Sequence, residues 1–170
     1  MRIIAAVDER WGIGKNGGLL FSLPSDMSFF KEKTMGETVI MGRKTFESLP
    51  GGKPLCGREN IVLSADKGFT ARGVRVFHAA EDLLREYADS GAFVIGGGRV
   101  YELLLPYCSE AYITRICADG GADVFFPNLD ASKEWRAAEI SEPFTENGVE
   151  LFFCKYERIK PNFERTSSGC

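Results

Sequence analysis

The chain has 170 residues, a formal net charge of −3 and a sequence pI near 5.3, with 44% hydrophobic and 26% charged residues. This length and composition suit one globular domain with a core of its own, and the acidic balance disfavours nucleic acid as a partner. No apolar run approaches the ~18 residues of a membrane-spanning helix, and the start MRIIAAVDER lacks the pattern of a signal peptide. We therefore expect a cytoplasmic protein that does not contact a membrane.

Cysteine and histidine usage argues against several kinds of site. The five cysteines are odd in number and no two have CxxC spacing. We therefore expect reduced thiols, with neither a disulfide framework nor a zinc site, and no metal. His78 is the only histidine and ends the alternating stretch VRVFH, which disfavours Ser-His and Cys-His hydrolase chemistry.

Strand patterns recur along the chain, and helical patterns fall between them. The strand patterns are RIIAAV, ETVIMG, NIVLS, VRVFH, AFVIGGG, AYITRI and VELFFCKY. The helical patterns are SDMSFFKEKTM, RKTFESL, AAEDLLREYA and RVYELLLPY. Their alternation through residues 38–105 predicts a single α/β domain with a mainly parallel sheet and helices on both faces. Residues 111–158 read as strand, loop, strand and predict that the sheet ends with an antiparallel strand. We expect the domain to cover residues 1–159 and a polar tail to follow at 160–170.

The segment DERWGIGKNGGLLFSLP, residues 8–24, separates the first strand from the first helix. A structureless loop of this length inside a compact domain is uncommon and is usually functional or disordered. Large apolar residues such as Trp11 and Phe21 argue against disorder. Four glycines combined with these apolar side chains are typical of a lid over a site, and a packed surface loop is the alternative.

Two strand-to-helix junctions combine glycine with arginine. TVIMGRKTFE places Gly42 before Arg43-Lys44, and FVIGGGRVYELL places glycines 96–98 before Arg99. Helix starts offer free N–H groups to phosphate, and glycine permits close approach. Neither stretch is a named nucleotide motif, because GGGRVY fails GxGxxG and no GxxxxGK[ST] occurs. Two such junctions in one small sheet favour a dinucleotide, and the paired cations favour NADP over NAD.

Asp26 lies in FSLPSDMSFFKEKT, where two interpretations remain open. One is an exposed N-cap of the helix that follows Pro24. The other is a functional carboxylate, because Ser25 can cap the helix and Asp26 shares a helical face with Phe29 and Phe30. An acid on an apolar face must be paired or its pKa rises, and a planar heterocycle with two N–H groups would pair with it through charge-assisted hydrogen bonds.

Five stretches resemble, in order and spacing, the segments of dihydrofolate reductases: FSLPSDMSFFK, VIMGRKTFESL, PLCGRENIVLS, VIGGGRVYELLLP and AYITRI…DVFFP. The likeness runs from residue 3 to about 158 and is closest to the bacterial chromosomal branch. It implies a central eight-stranded sheet with seven parallel strands and an antiparallel last strand, flanked by about four helices. It also implies NADPH across the carboxyl ends of the central strands, a cis peptide at Gly96-Gly97, and a mobile loop at 8–24 that closes on Asp123.

The resemblance implies a cofactor site in which the glycine junctions meet the pyrophosphate. Arg43, Lys44 and residues near Ser64 would hold the 2′-phosphate, and Ala6 with the 8–24 loop would contact the nicotinamide end. The implied cofactor-binding residues are Ala6, Ile13, Gly14, Gly17, Gly18, Leu19, Gly42, Arg43, Lys44, Thr45, Leu63, Ser64, Ala65, His78, Ile95, Gly96, Gly97, Gly98, Arg99, Val100 and Tyr101.

The resemblance likewise implies that Asp26 binds the N–H and 2-amino groups of a pterin, with Thr114 hydrogen-bonded to Asp26 from behind. Arg58 would hold the glutamate carboxylate of the substrate, although CGRENIV alone indicates only a surface arginine. The implied catalytic residues are Asp26, Phe21, Leu19 and Thr114. The implied substrate-binding residues are Ile4, Ala5, Met27, Phe30, Ser48, Leu49, Leu55, Arg58, Ile95, Tyr101 and Thr114.

The sequence departs from the family pattern at two places. Where the family reads Leu-Pro-Trp before the first helix, residues 19–21 read Leu-Leu-Phe, which loses the indole N–H and is expected to loosen the loop. Ala65 and His78 stand where the family often has a polar and a basic residue near the 2′-phosphate. The preference for NADP thus depends on the cations Arg43 and Lys44.

The implied reaction is hydride transfer from C4 of NADPH to C6 of 7,8-dihydrofolate, while solvent protonates N5 and Asp26 orients and polarises the pterin. The implied ligands also include diaminopyrimidine and pteridine antifolates, and we expect a monomer. A riboflavin-pathway-type pyrimidine reductase, with the same fold and cofactor, is one alternative. A non-catalytic nucleotide-binding or RNA-binding module is the other, and the acidic pI weakens it.

Overall fold

The computed structural model describes residues 1–159, so the polar tail expected at 160–170 lies outside the described residues. The α-helices are α1 (Pro24–Thr34), α2 (Arg43–Ser48), α3 (Ala80–Tyr87) and α4 (Gly98–Leu104). The β-strands are β1 (Arg2–Val7), β2 (Gly12–Lys15), β3 (Gly18–Leu19), β4 (Thr38–Gly42), β5 (Glu59–Leu63), β6 (Arg75–Phe77), β7 (Phe93–Gly96), β8 (Glu110–Ile116), β9 (Val124–Phe125), β10 (Trp135–Ile140), β11 (Phe144–Glu146) and β12 (Val149–Arg158). Within 1–159, no helix has the length and apolar content to cross a membrane.

The main sheet has the strand order β10-β12-β8-β1-β7-β4-β5-β6, and β11 pairs with β12 at one end. The strands from β8 to β6 in this order pair in parallel, whereas β12 runs antiparallel to β8 and β10. The predicted eight-stranded sheet with an antiparallel last strand is therefore confirmed. Because β7 lies between β1 and β4, the chain changes direction across the sheet there, and α/β folds bind ligands beyond the strand ends at such a point.

Both faces of the central strands are buried, which explains why these strands read as continuous apolar runs. Alternate residues of β1 face opposite clusters, with Ile3 in one and Ile4 in the other. Helices α1 and α2 cover the Ile4 face through side chains such as Phe30 and Phe46. Helices α3 and α4 cover the opposite face.

Two expectations from the sequence are wrong in the irregular regions. Residues 8–24 are not structureless, because β2 and β3 form a hairpin that pairs with β9 in a separate three-stranded sheet. The stretch 111–158 contains β9, β10 and β11 as well as the two predicted strands. These short strands carry little apolar alternation of their own, so only their pairing partners define them.

Candidate active site

The two glycine junctions lie against each other at the carboxyl ends of β4 and β7. A Cβ added at Gly42 would lie 3.0 Å from Val100 Cγ2, and 3.9 Å from the Gly96 carbonyl oxygen. A Cβ added at Gly97 would lie 3.2 Å from Thr45 Oγ1. Neither α2 nor α4 receives a hydrogen bond from an N-cap side chain. The junctions therefore form one surface of closely packed backbone with uncapped helix starts, where a guest can approach the main chain.

The junction after β7 has the more unusual backbone. The expected cis peptide between Gly96 and Gly97 is present, and Gly96 has a φ of +124°. L-residues rarely adopt this φ, so a side chain at 96 would be strained whatever space surrounds it. Tyr101 lies beside it, because a Cβ at Gly96 would be 3.4 Å from the Tyr101 hydroxyl.

Cationic side chains occur at the starts of both helices, with Arg43 and Lys44 on α2 and Arg99 on α4. Arg43 pairs with Glu47 at 3.4 Å in an exposed contact, while none of the ion pairs found in residues 1–159 includes Lys44 or Arg99. At the ends of the next two strands of the sheet, β5 and β6, His78 Nδ1 lies 2.9 Å from the carbonyl oxygen of Ser64. Charges without carboxylate partners remain available to an anionic ligand.

Asp26 lies in the first turn of α1 and is half-buried. Leu23 is the N-cap and has no acceptor in its side chain, so the interpretations of Ser25 as the cap and of Asp26 as an exposed N-cap are both wrong. Burial raises the pKa of the Asp26 carboxyl, the Thr114 hydroxyl lowers it, and the nearby charge of Glu146 raises it, with a net increase. The site thus holds a carboxylate that an apolar environment disfavours.

Two buried hydroxyls accompany Asp26. Thr114 Oγ1 is buried and meets no partner at normal hydrogen-bond geometry among the described residues, yet it lies close enough to Asp26 to lower the pKa of that carboxyl. Tyr101 donates to the carbonyl oxygen of Ile4 at 2.8 Å. Burial and the charge of Asp26 raise the pKa of Tyr101, which therefore stays protonated at neutral pH. A carboxylate, a buried hydroxyl and a neutral phenol thus lie together beside the strand ends.

Apolar side chains form the walls next to these polar groups. Partly buried residues of α1, β7 and the 49–58 segment pack on the cluster that contains Ile4: Phe29, Phe30, Leu49, Leu55 and Ile95. Phe21 packs instead with Leu23, Ile116 and Leu151. Two expected contact residues are more exposed, Met27 at 49% and Leu19 at 75%. Leu19 lies on the hairpin and stands outside the three apolar clusters.

Arg58 is held beside Phe30 with its charge unpaired. Its Nε donates to Thr34 Oγ1 at 2.9 Å, and its Nη1 donates to the Cys56 carbonyl at 2.9 Å. Its guanidinium carbon lies 5.7 Å from the centre of the Phe30 ring. Arg58 belongs to none of the ion pairs found in residues 1–159, and burial lowers its pKa. The guanidinium is therefore oriented by neutral groups and can accept a carboxylate from a ligand.

Two carboxylates fix the position of the β2–β3 hairpin. Asp123 Oδ2 accepts the Asn16 N–H at 2.8 Å, and the Asp123 N–H donates to the Gly14 carbonyl at 3.0 Å. The buried Asp8 accepts hydrogen bonds from two backbone N–H groups, that of Gly12 at the start of β2 (2.6 Å) and that of Gly120 in the loop between β8 and β9 (3.2 Å). Asp123 therefore does contact the 8–24 loop, as expected.

Sequence reasoning missed the part that Glu146 plays in the site. Its carboxylate accepts hydrogen bonds from the Ser25 N–H and O–H, and its charge raises the pKa of Asp26, although Glu146 lies 120 positions after Asp26 in the sequence. Only the pairing of β11 with β12 brings it there, and no local pattern signals that pairing. No group of His, Cys, Asp and Glu able to hold a metal ion occurs among residues 1–159.

Comparison with known proteins assigns this architecture to a family. A family described as dihydrofolate reductase matches residues 1–158. The chain belongs to the dihydrofolate reductase family.

Relatives in the dihydrofolate reductase family align over most of this chain. The dihydrofolate reductase of Neisseria gonorrhoeae is 38% identical over 156 residues, covering 91% of this chain and 95% of the relative. That of Mycobacterium tuberculosis (strain ATCC 25618 / H37Rv) is 37% identical over 150 residues, covering 86% and 90%. A solved structure of dihydrofolate reductase from Enterococcus faecalis complexed with NADP(H) and RAB-propyl aligns with a TM-score of 0.83 and 38% identity, covering 94% of this chain and 96% of that one.

Proposed function

We propose that the protein catalyses the NADPH-dependent reduction of 7,8-dihydrofolate to 5,6,7,8-tetrahydrofolate. The observation that carries this proposal is the half-buried Asp26 carboxylate with its raised pKa, beside an apolar wall and the glycine junctions. Family membership over residues 1–158 supports it. The pyrimidine reductase and the non-catalytic nucleotide-binding or RNA-binding module are not favoured, because the match extends over the whole described domain.

Asp26 would bind the pterin through its N–H and 2-amino groups. Two parallel charge-assisted hydrogen bonds, each contributing about 1.5–3 kcal/mol, suit a carboxylate that is half-withdrawn from water. The buried Thr114 hydroxyl beside Asp26 would bind the same guest or support Asp26, since a buried polar group without a well-formed hydrogen bond gains by pairing. The Ile4 and Ile95 carbonyls would line the pocket, and Tyr101, which donates to Ile4, holds one of them in place.

The remaining substrate contacts follow from the walls of the cleft. Phe30, Leu49 and Leu55 would pack on the pterin and benzoyl parts, with Met27 at the exposed end. Arg58 would pair with the glutamate carboxylate, because its guanidinium is already oriented by Thr34 and Cys56. The other residues expected at the substrate are Ala5, which is buried, and Ser48, whose hydroxyl donates to the Thr45 carbonyl.

The residues of the glycine junctions fit the dinucleotide expected from the family. A side chain at Gly42 or Gly97 would press on the neighbouring junction, so glycine keeps the two helix starts close enough together to bind one pyrophosphate between them. Arg43, Lys44 and the Ser64–His78 pair would hold the 2′-phosphate, and Arg99 would add charge at the second helix start. When bound, NADPH supplies the hydride that C6 of the substrate accepts.

The protein's own part in the reaction is binding, orientation and exclusion of water. Asp26 would orient the pterin and polarise it, so that solvent can deliver a proton to N5. The hairpin of residues 12–19, held by Asp123, would cover the nicotinamide end. Ala6, Ile13, Gly14, Gly17, Gly18 and Leu19 would then lie on the cofactor side of this cover.

A spectrophotometric assay tests the proposed function. Loss of NADPH absorbance is followed with dihydrofolate as acceptor, and separately with a ribosylamino-pyrimidine and with NADH in place of NADPH. We expect rapid oxidation of NADPH with dihydrofolate, slower oxidation of NADH, and none with the pyrimidine. Turnover of the pyrimidine alone, or binding of NADPH without any turnover, would contradict the proposal.

We further propose that diaminopyrimidine and pteridine antifolates bind in the same cleft, because a protonated diaminopyrimidine ring would pair directly with Asp26. A calorimetric titration should give tight binding to the parent and weak binding to Asp26→Ala.

We also propose that the protein is a monomer, to be checked by light scattering, and that it functions in the reducing cytoplasm. The free thiols of Cys56, Cys108, Cys117 and Cys154 support that compartment.

A further inference from the structure

A hairpin from the end of the domain reaches the first turn of α1. Strands β11 and β12 are joined by Asn147-Gly148, both with positive φ (52° and 76°), which is typical of a tight two-residue turn. Glu146 is the last residue of β11 and pairs across the turn with Val149. This rigid connection fixes the direction in which the Glu146 side chain leaves the hairpin.

Two contacts attach the hairpin to α1. The Glu146 carboxylate accepts the Ser25 O–H at 2.7 Å and the Ser25 N–H at 3.2 Å and 3.3 Å. Phe153 of β12 stacks on Phe29, with ring centres 4.3 Å apart, and pairs in register with Thr114. The helix start, which lacks a capping side chain of its own, is thus completed by a carboxylate from the other end of the chain.

Groups from three elements besides its own helix act on Asp26 or are acted on by it. Glu146 of β11 binds Ser25, the residue next to Asp26, and its charge raises the pKa of Asp26; Thr114 of β8 lowers that pKa, and the charge of Asp26 raises the pKa of Tyr101 on α4. Tyr101 and Thr114 are neutral at neutral pH, so Glu146 supplies the charge among these groups. A second negative charge at such a site opposes loss of the proton that Asp26 shares with a bound base.

We propose that Glu146 is a positioning residue for the reduction: it fixes the first turn of α1 through Ser25 and keeps a proton in the Asp26–pterin pair up to higher pH. The proposal extends the proposed function and rests on it for its catalytic meaning. The raised pKa of Asp26, to which the charge of Glu146 contributes, agrees with it. Activity near neutral pH would then depend on a residue that contacts neither ligand.

Charge and geometry can be separated by substitution. Glu146→Gln keeps the shape and an acceptor for Ser25 but removes the charge. Ser25→Ala removes the O–H bond and keeps the charge. Glu142→Gln is the matched control, because it makes the same charge change at an exposed position on the same β10–β11 loop.

Two measurements detect the effect of the Glu146 charge on Asp26. The first is the midpoint of the Asp26 carboxyl titration in the ligand-free protein, read by carbon-13 NMR. The second is the pH at which the rate of dihydrofolate reduction falls. For Glu146→Gln we expect both midpoints to move to lower pH by about half a unit, since removing a nearby negative charge makes the Asp26 proton easier to lose. Glu142→Gln should move neither.

The possible outcomes decide the proposal. Shifts in Glu146→Gln and none in Glu142→Gln support it, and a purely structural contact would instead raise KM or lower Tm without moving either midpoint. Unchanged midpoints in Glu146→Gln, or equal shifts in both variants, overturn it. If the parent fails to reduce dihydrofolate, the proposed function fails, whereas the NMR titration in the ligand-free protein still tests the effect of Glu146 on Asp26.

Discussion

The two halves of the proposed cleft would recognise their ligands by different means. The substrate half consists of one carboxylate, Asp26, set among aromatic and aliphatic side chains, with Arg58 at its edge. The proposed cofactor half consists of closely packed backbone at Gly42 and at residues 96–98, where an added Cβ would press on a neighbour, with cations at the two helix starts. A side-chain site loses its chemistry when one group is removed, whereas a backbone site loses its function when one group is added. The two halves therefore should respond to opposite kinds of substitution.

The largest effect is expected for the removal of the carboxylate. Asp26→Asn should lower turnover of dihydrofolate at pH 7 by roughly 100-fold or more, because the amide neither pairs with a protonated pterin nor polarises it. The loss should be smaller at acid pH, where the substrate can be protonated in solution. A pH series of initial rates checks this, and equal rates for parent and variant at pH 7 would contradict the assigned role.

The next largest effect is expected for the addition of a methyl group to the backbone site. Gly96→Ala places a Cβ at a residue with φ of +124°, which costs about 1–3 kcal/mol in strain or forces the junction to move. NADPH binding should weaken by about 10- to 100-fold, measured by fluorescence titration. Gly148→Ala, also at a positive φ but in the β11–β12 turn, is the control and should leave the NADPH affinity unchanged.

A smaller and more selective effect should follow when the cations of the cofactor half are removed. The double variant Arg43→Gln/Lys44→Gln should raise KM for NADPH about tenfold and leave KM for NADH almost unchanged, because only the 2′-phosphate distinguishes the two. Lys133→Gln, an exposed lysine between β9 and β10, serves as the control. A parallel rise for both cofactors would place these cations elsewhere than at the 2′-phosphate.

The smallest effect concerns stability rather than activity. Because burial raises the pKa of Asp26, the folded protein binds a proton more readily than the unfolded chain, so the carboxyl destabilises the ligand-free protein once the pH exceeds its ordinary value of 3.8. This cost grows as pH rises through the folded pKa and is constant above it. Asp26→Asn should therefore raise Tm by roughly 2 °C at pH 8, with the gain shrinking toward pH 4. A lower Tm at pH 8 would contradict this sign.

The regular parts of the fold were predictable from the sequence because they carry their own periodicity. Every predicted strand and helix is present, since apolar runs such as VIM in β4 and FVI in β7 are buried on both faces of the sheet. The small sheet of β2, β3 and β9 was not predictable, because two of its strands have two residues each and exist only through pairing. Propensity has no meaning for segments of that length.

The candidate site divides in the same way. Asp26 could be singled out because Phe29 and Phe30 place it on an apolar face, and the junction glycines because they precede helices. Glu146 could not, because its partner Ser25 lies across the fold. Ser25 was expected to cap α1 and in fact donates to Glu146, which shows that the choice of acceptor at a helix start can depend on a distant hairpin.

The hydrogen bonds of Asp8 fix the base of the β2–β3 hairpin. The Asp8 side chain ties Gly12 on one side and Gly120 on the other to the end of β1, so the base of the hairpin and the facing loop share one anchor. If the hairpin opens to admit ligands, as the proposed function requires, the chain would bend beyond that anchor, where Gly14, Gly17 and Gly18 follow. The contacts with Asp123 would then break while those of Asp8 persist. Substitutions in residues 13–20 would accordingly change the rate of ligand release and leave the main sheet unaltered.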